Sequence, residues 1–182
     1  MIPQRLRLLQ PCTSLEQAHA LALQLVNCRD HQRDLVKLAL IALGANPRTE
    51  RTVLERWNTV NQPALTDFAP YASFILRVEA FFAIAHEYAL ISYDPNSRSD
   101  ITYFHYVPFC NVFVSSDRLH LRTAKFFLRS DQTLVHGPVL KQSLRKLVDR
   151  YSALPDEDKD KGLLIYARTP PIDDPACTVA EL

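Results

Sequence analysis

Two short β-rich runs constrain the fold of this chain more than any other feature. One helical stretch lies between the two runs, and a second helical stretch follows them. Val112-Phe113-Val114 and residues 132–136 have the β-branched and aromatic character of strands. Helix-forming stretches occupy residues 119–128, between the two runs, and residues 139–151, after the second. Strands that alternate with helices through short links pair in parallel. The sequence therefore predicts a helix-rich α/β fold with a small parallel sheet flanked by helices.

The first sixty residues predict an added helical region. Apolar residues recur at helical spacing in three stretches, which start near Ser14, near Asp30 and at Thr49. We expect these helices to serve packing, self-association or binding of a protein partner through their apolar faces. The predicted organisation is a helical region at 1–60, an α/β core at 61–155 and an irregular tail at 156–182.

The composition excludes several classes of protein. The three glycines, Gly44, Gly137 and Gly162, are too far apart to form a glycine-rich phosphate-binding loop. The four cysteines lack the spacing of a zinc site, and charged residues interrupt every long apolar stretch. These features predict a cytoplasmic protein with free thiols and no membrane association. Because the formal net charge is +1, any nucleic-acid partner would need a local basic surface.

Two carboxylates bracket the segment that contains the first predicted strand. Asp100 opens a helical stretch, and Asp117 ends the strand run seventeen residues later in Val114-Ser115-Ser116-Asp117. In open parallel sheets, functional groups gather just beyond the carboxyl ends of the strands. Convergent carboxylates attract Mg²⁺ or Mn²⁺, which prefer oxygen ligands. Asp100 and Asp117 are therefore candidate metal ligands, with Ser115 in reach to support them by hydrogen bonds.

This stretch resembles the C-terminal half of PIN-like domains, which are metal-dependent nucleases. In that family an Asp opens a helix, and a hydrophobic strand then ends in Thr/Ser-x-Asp after a similar interval. The resemblance covers about residues 72–150 and implies a three-layer core and a Mg²⁺-dependent ribonuclease. It also implies that Glu79, on the apolar helix at 72–91, is a catalytic metal ligand beside Asp100 and Asp117. Three basic residues past the strand would contact phosphates of the RNA: Arg118, Arg122 and Lys125.

Several alternatives remain open from the sequence. The family's first strand ends in an Asp ligand, and the apolar stretch RLRLLQP at 5–11 ends without one. The chain is therefore expected to be part of a longer protein, or a divergent relative that serves as a catalytically inactive protein-interaction module. In an inactive module, arginines such as Arg77, Arg98 or Arg122 would neutralise the acids.

The acids and nearby histidines also have structural interpretations. Asp100 is a candidate helix cap and Asp117 a candidate turn residue. His105 and His120 flank the acids and could bind metal or phosphate. A purely helical regulator is a third alternative, and it requires that the two β-rich runs do not pair.

Overall fold

The computed structural model describes residues 12–92, 97–160 and 162. The apolar stretch at 5–11 and residues 163–182 of the predicted tail lie outside these residues. The chain divides into two compact units, Met1–Pro108 and Phe109–Leu182, whereas the sequence indicated a boundary after residue 60.

Unit 1 is helical, and two of its helices begin at residues whose side chains cap them. The Ser14 side chain accepts a hydrogen bond from the Gln17 amide, and the Asn46 side chain accepts one from the Thr49 amide. Gly44, at φ 66°, follows the second helix and ends it as predicted. The helices are α1 (Leu15–Asn27), α2 (Gln32–Ala42), α3 (Pro47–Thr59), α4 (Leu65–Phe68), α5 (Pro70–Glu87) and α6 (Ser97–Tyr103), with 3-10 turns at Arg29–His31 and Phe104–Phe109.

Helix α5 is the centre of unit 1. It is apolar on most sides, and half of its eighteen residues are buried. Helices α1, α2, α4 and α6 all pack against it. A cluster that includes Val36, Trp57, Leu65 and Leu76 joins α2, α3, α4 and α5. The N-terminal helices therefore share one core with α5 instead of forming a separate packing unit.

A histidine and an arginine lie within the contact between α1 and α5. The ring of His19 packs edge-on against Phe81, with 6.4 Å between ring centroids. The guanidinium of Arg77 lies 5.0 Å from the centroid of the Phe74 ring. The pKa of His19 is lowered by burial and, to a smaller extent, by the positive charge of Arg77.

This lowered pKa predicts that acidification destabilises unit 1. Between the folded-state pKa of His19 and its ordinary value of 6.5, the unfolded chain binds more protons than the folded one. Stability is therefore lost as the pH falls below about 6.5. Urea unfolding at a series of pH values should show this slope, and His19→Gln should reduce it. An unchanged slope in the variant would contradict the assignment.

Unit 2 contains the parallel strand pair that the sequence predicted. Strand β1 (Val112–Ser115) pairs in parallel with β2 (Thr133–His136), with Val112 opposite Thr133 and Ser115 opposite His136. Helix α7 (Arg118–Thr123) and a 3-10 turn (Ala124–Phe126) connect the strands. Helix α8 (Gly137–Ser152) follows β2 directly, and α9 (Asp156–Lys159) comes after it.

These elements confirm a helix-rich fold with a small parallel sheet, which has two strands within the described residues. Because the two β-rich runs pair, the purely helical alternative is wrong. Among the residues that the structure describes, no helix is long and apolar enough to cross a bilayer.

Candidate functional site

The three predicted acids lie in different elements. Glu79 is on α5 and Asp100 is on α6, both in unit 1, whereas Asp117 precedes α7 in unit 2. Within the described ranges, no group of three or more His, Cys, Asp or Glu side chains has an arrangement that could hold a metal ion. The metal site therefore stays a prediction, and each acid is best understood from its own surroundings.

The side chains of Arg98 and His105 both contact the carboxylate of Glu79. Its Oε2 atom lies 2.5 Å from Nη1 of Arg98, which donates a hydrogen bond to it. Its Oε1 atom lies 3.2 Å from Nε2 of His105. This oxygen and this nitrogen are shielded from solvent and face each other without the alignment of a hydrogen bond. Oε2 of Glu79 is thus hydrogen-bonded to Arg98, and Oε1 contacts His105 without forming a hydrogen bond.

The Glu79 cluster, which we define as Glu79, Arg98 and His105, connects three elements of unit 1. Glu79 projects from α5, Arg98 from α6 and His105 from the 3-10 turn after α6. One turn further along α5, the Phe82 ring lies 5.5 Å from the ring of Phe104 in that same 3-10 turn. Polar and aromatic contacts therefore act together to hold α6 and the following turn against α5.

Asp100 occupies a position within α6 and does not cap it. The helix begins at Ser97, so the expectation that Asp100 caps it is wrong. Asp100 lies in the first turn, where a negative charge is favoured by the helix dipole. This placement gives the half-buried carboxylate a local stabilising effect.

Asp117 is the N-cap of α7. Its Oδ1 atom accepts hydrogen bonds from the amides of Leu119, at 2.7 Å, and His120, at 3.0 Å. Within the described residues, its Oδ2 atom accepts no hydrogen bond from the protein. Asp117 therefore has a structural role as an N-cap, whereas the structural alternative predicted from the sequence was a turn residue.

Ser115, at the end of β1, organises the turn that presents Asp117. Its hydroxyl oxygen accepts a hydrogen bond from the Asp117 amide at 3.1 Å and lies 2.8 Å from Nδ1 of His120. The His120 ring is buried and packs edge-on against Phe113, with 5.4 Å between centroids. Ser115 was predicted to support the acids, and it does contact Asp117, through the backbone amide.

The basic residues predicted to meet phosphates are all exposed. Arg118 and Arg122 lie on α7, and Lys125 lies in the 3-10 turn that follows, 4.8 Å from the centroid of the Phe126 ring. Residues 109–152 contain eight Lys and Arg residues against three Asp residues. A local basic surface is therefore available in this segment although the whole chain is nearly neutral.

Arg98 is among the arginines predicted to neutralise an acid, and His105 and His120 are the histidines predicted to bind metal or phosphate. Both histidines contact protein groups close to the predicted acids, at 3.2 Å and 2.8 Å. The spacing Asp-x-x-His after a strand is a signal for the bond from the His120 amide to the Asp117 side chain, because an N-cap accepts from the amide of its third following residue. Comparison with protein-family models, curated proteins and solved structures finds no match to this chain.

Proposed function

We propose that this chain is a non-catalytic protein-interaction module on a PIN-like α/β scaffold, in which the predicted acids stabilise the fold. The Glu79 cluster carries this proposal. Arg98 and His105 contact both oxygens of the Glu79 carboxylate, which leaves that residue poorly suited to a divalent cation. A cation at Glu79 would also be repelled by the guanidinium of Arg98.

A second candidate function, a Mg²⁺- or Mn²⁺-dependent ribonuclease, is favoured by the position of Asp117. This residue follows the carboxyl end of a parallel strand, where functional groups of α/β proteins gather. Its Oδ2 atom, which accepts no hydrogen bond from the described residues, would be a ligand of the ion. A bound metal ion would supply an activated water for hydrolysis. Arg118, Arg122 and Lys125 would then bind phosphates of the RNA.

The interaction module predicts that removing the charge of Glu79 destabilises the fold. Glu79→Gln keeps the size of the side chain but removes its charge. Because Arg98 and His105 then lose their charged partner, we expect the free energy of unfolding to fall by about 1–2 kcal/mol. Urea denaturation measures this loss. An unchanged stability would mean that the Glu79 cluster does not hold the fold.

Calorimetric titration with Mn²⁺ separates the two functions directly. Asp117→Asn is the matched control, because Asn is as good an N-cap as Asp and loses only the charge. The interaction module predicts no saturable Mn²⁺ binding in the wild type, in Glu79→Gln or in Asp117→Asn. Stoichiometric binding that disappears in Asp117→Asn would overturn the proposal in favour of the ribonuclease.

A further inference from the structure

Helix α8 carries aliphatic side chains on a surface that its own unit does not cover. The helix packs against its unit through buried Ser143 and Leu147. Leu144 and Val148, which lie one turn apart, remain 47% and 61% exposed. Two aliphatic residues at this spacing form a small continuous apolar strip along the helix.

Two basic residues lie beside this apolar strip. Lys141, Leu144, Arg145 and Val148 have the spacing i, i+3, i+4 and i+7, so they share one helix surface, which we call the α8 outer face. All four are exposed. The whole helix has four basic residues and one acidic residue, Asp149. The α8 outer face therefore combines an apolar centre with a positive border.

We propose that the α8 outer face binds an acidic amphipathic segment of a partner protein. This inference rests on the proposed interaction function and names the chemistry of the partner. Leu144 and Val148 would contact apolar side chains of the segment, and Lys141 and Arg145 would pair with its carboxylates. An amphipathic helix with apolar residues one turn apart and acids beside them satisfies both requirements.

A protein segment fits this surface better than RNA or a membrane. Phosphates would pair with Lys141 and Arg145, but they would leave Leu144 and Val148 without an apolar partner. A helix that lies on a membrane needs a wide apolar side, whereas the α8 outer face has two aliphatic residues, Leu144 and Val148.

Fluorescence anisotropy with defined peptides tests the proposal on the full chain. The probe is a labelled helical peptide with Leu at i, i+3, i+4 and i+7 and Glu at the flanking positions. One control peptide replaces each Leu by Ser, and a second replaces each Glu by Lys. We expect saturable binding of the first peptide and binding at least about tenfold weaker for each control, because both apolar and charged contacts contribute.

Variants of the protein locate the binding surface. Leu144→Ser with Val148→Ser, and separately Arg145→Glu, should each weaken binding of the acidic peptide by about tenfold or more. Ile41→Ser is the matched control, because this residue of α2 is 71% exposed and also aliphatic, and it should leave binding unchanged. Circular dichroism of each variant establishes that the fold is retained.

Other occupants of the α8 outer face would overturn the proposal. A single-stranded RNA, or vesicles containing phosphatidylglycerol, would overturn it by binding more tightly than the acidic peptide, provided that the double variant Leu144→Ser with Val148→Ser weakens that binding. A dimer in sedimentation experiments that this double variant dissociates would assign the surface to a second copy of the chain. Absence of peptide binding would also overturn it. A negative peptide-binding experiment does not change the outcome of the Mn²⁺ titration. The two experiments therefore distinguish failure of this inference from failure of the proposed function.

Discussion

Replacing Trp57 by alanine is expected to lower the free energy of unfolding by about 3–5 kcal/mol. Trp57 is 2% exposed and is the buried residue of α3. Its indole packs into the cluster that joins α2, α4 and α5, and its Nε1 atom donates a hydrogen bond of 2.9 Å to the carbonyl oxygen of Pro63. Alanine would leave a large cavity and an unpaired carbonyl at the same site.

Trp57→Phe separates these two contributions. Phenylalanine keeps most of the apolar contact but cannot bond to the carbonyl of Pro63, so its expected loss is about 1–2 kcal/mol. Because Trp57 is the single tryptophan of the chain, unfolding of the variants should be followed by circular dichroism. A loss below about 1 kcal/mol in Trp57→Ala would show that α3 contributes little to unit 1.

Local signals in the sequence were sufficient to predict most helices and both strands. A cap at Ser14 and a stop at Gly44 are properties of single residues and their neighbours, so they can be read without tertiary information. The parallel pairing of β1 with β2 followed from the helix between them, since a parallel connection needs a crossover.

Features that depend on long-range packing were not predicted. Helix α4 is an example, because its Leu65 is buried in the shared core although no local pattern of the sequence indicates a helix there. The division of the chain after Pro108 also differs from the expected boundary. It reflects the packing of α1 against α5, which no local pattern encodes, because each helix alone shows only an apolar side.

The same difference between local and long-range signals applies to the candidate site. The place of Asp117 after a strand was predicted correctly, because a single acid at a strand end is a local signal. The partners of Glu79 were not fixed by sequence, since Arg98 is nineteen residues away along the chain. Whether a carboxylate binds a metal or an arginine depends on which side chains the fold brings to it.

Replacing Gln32 is expected to have the second-largest effect on stability. This residue is 6% exposed and connects three elements of unit 1. Its Nε2 atom donates hydrogen bonds to the carbonyl oxygens of Val26, at 3.1 Å, and Cys28, at 2.9 Å. Its Oε1 atom accepts a hydrogen bond of 2.6 Å from the amide of Leu65. Gln32→Ala would remove all three hydrogen bonds, at a cost of about 3 kcal/mol. The Val26 carbonyl and the Leu65 amide would lose this partner, whereas the Cys28 carbonyl would keep the amide of His31 at 3.3 Å.

The variant Gln32→Glu tests whether hydrogen bonding, and not side-chain volume, is the cause. The introduced carboxylate could still accept from the Leu65 amide, but it would repel the two carbonyl oxygens at Val26 and Cys28. Burial should raise the pKa of this carboxyl above its unfolded value, so the folded state would bind more protons. The variant should therefore be most stable in acid and lose stability as the pH rises through that range. Urea unfolding at several pH values measures this trend, and Gln32→Ala is the control because it lacks the carboxyl. If Gln32→Glu were as stable as the wild type at neutral pH, the role assigned to the amide would be wrong.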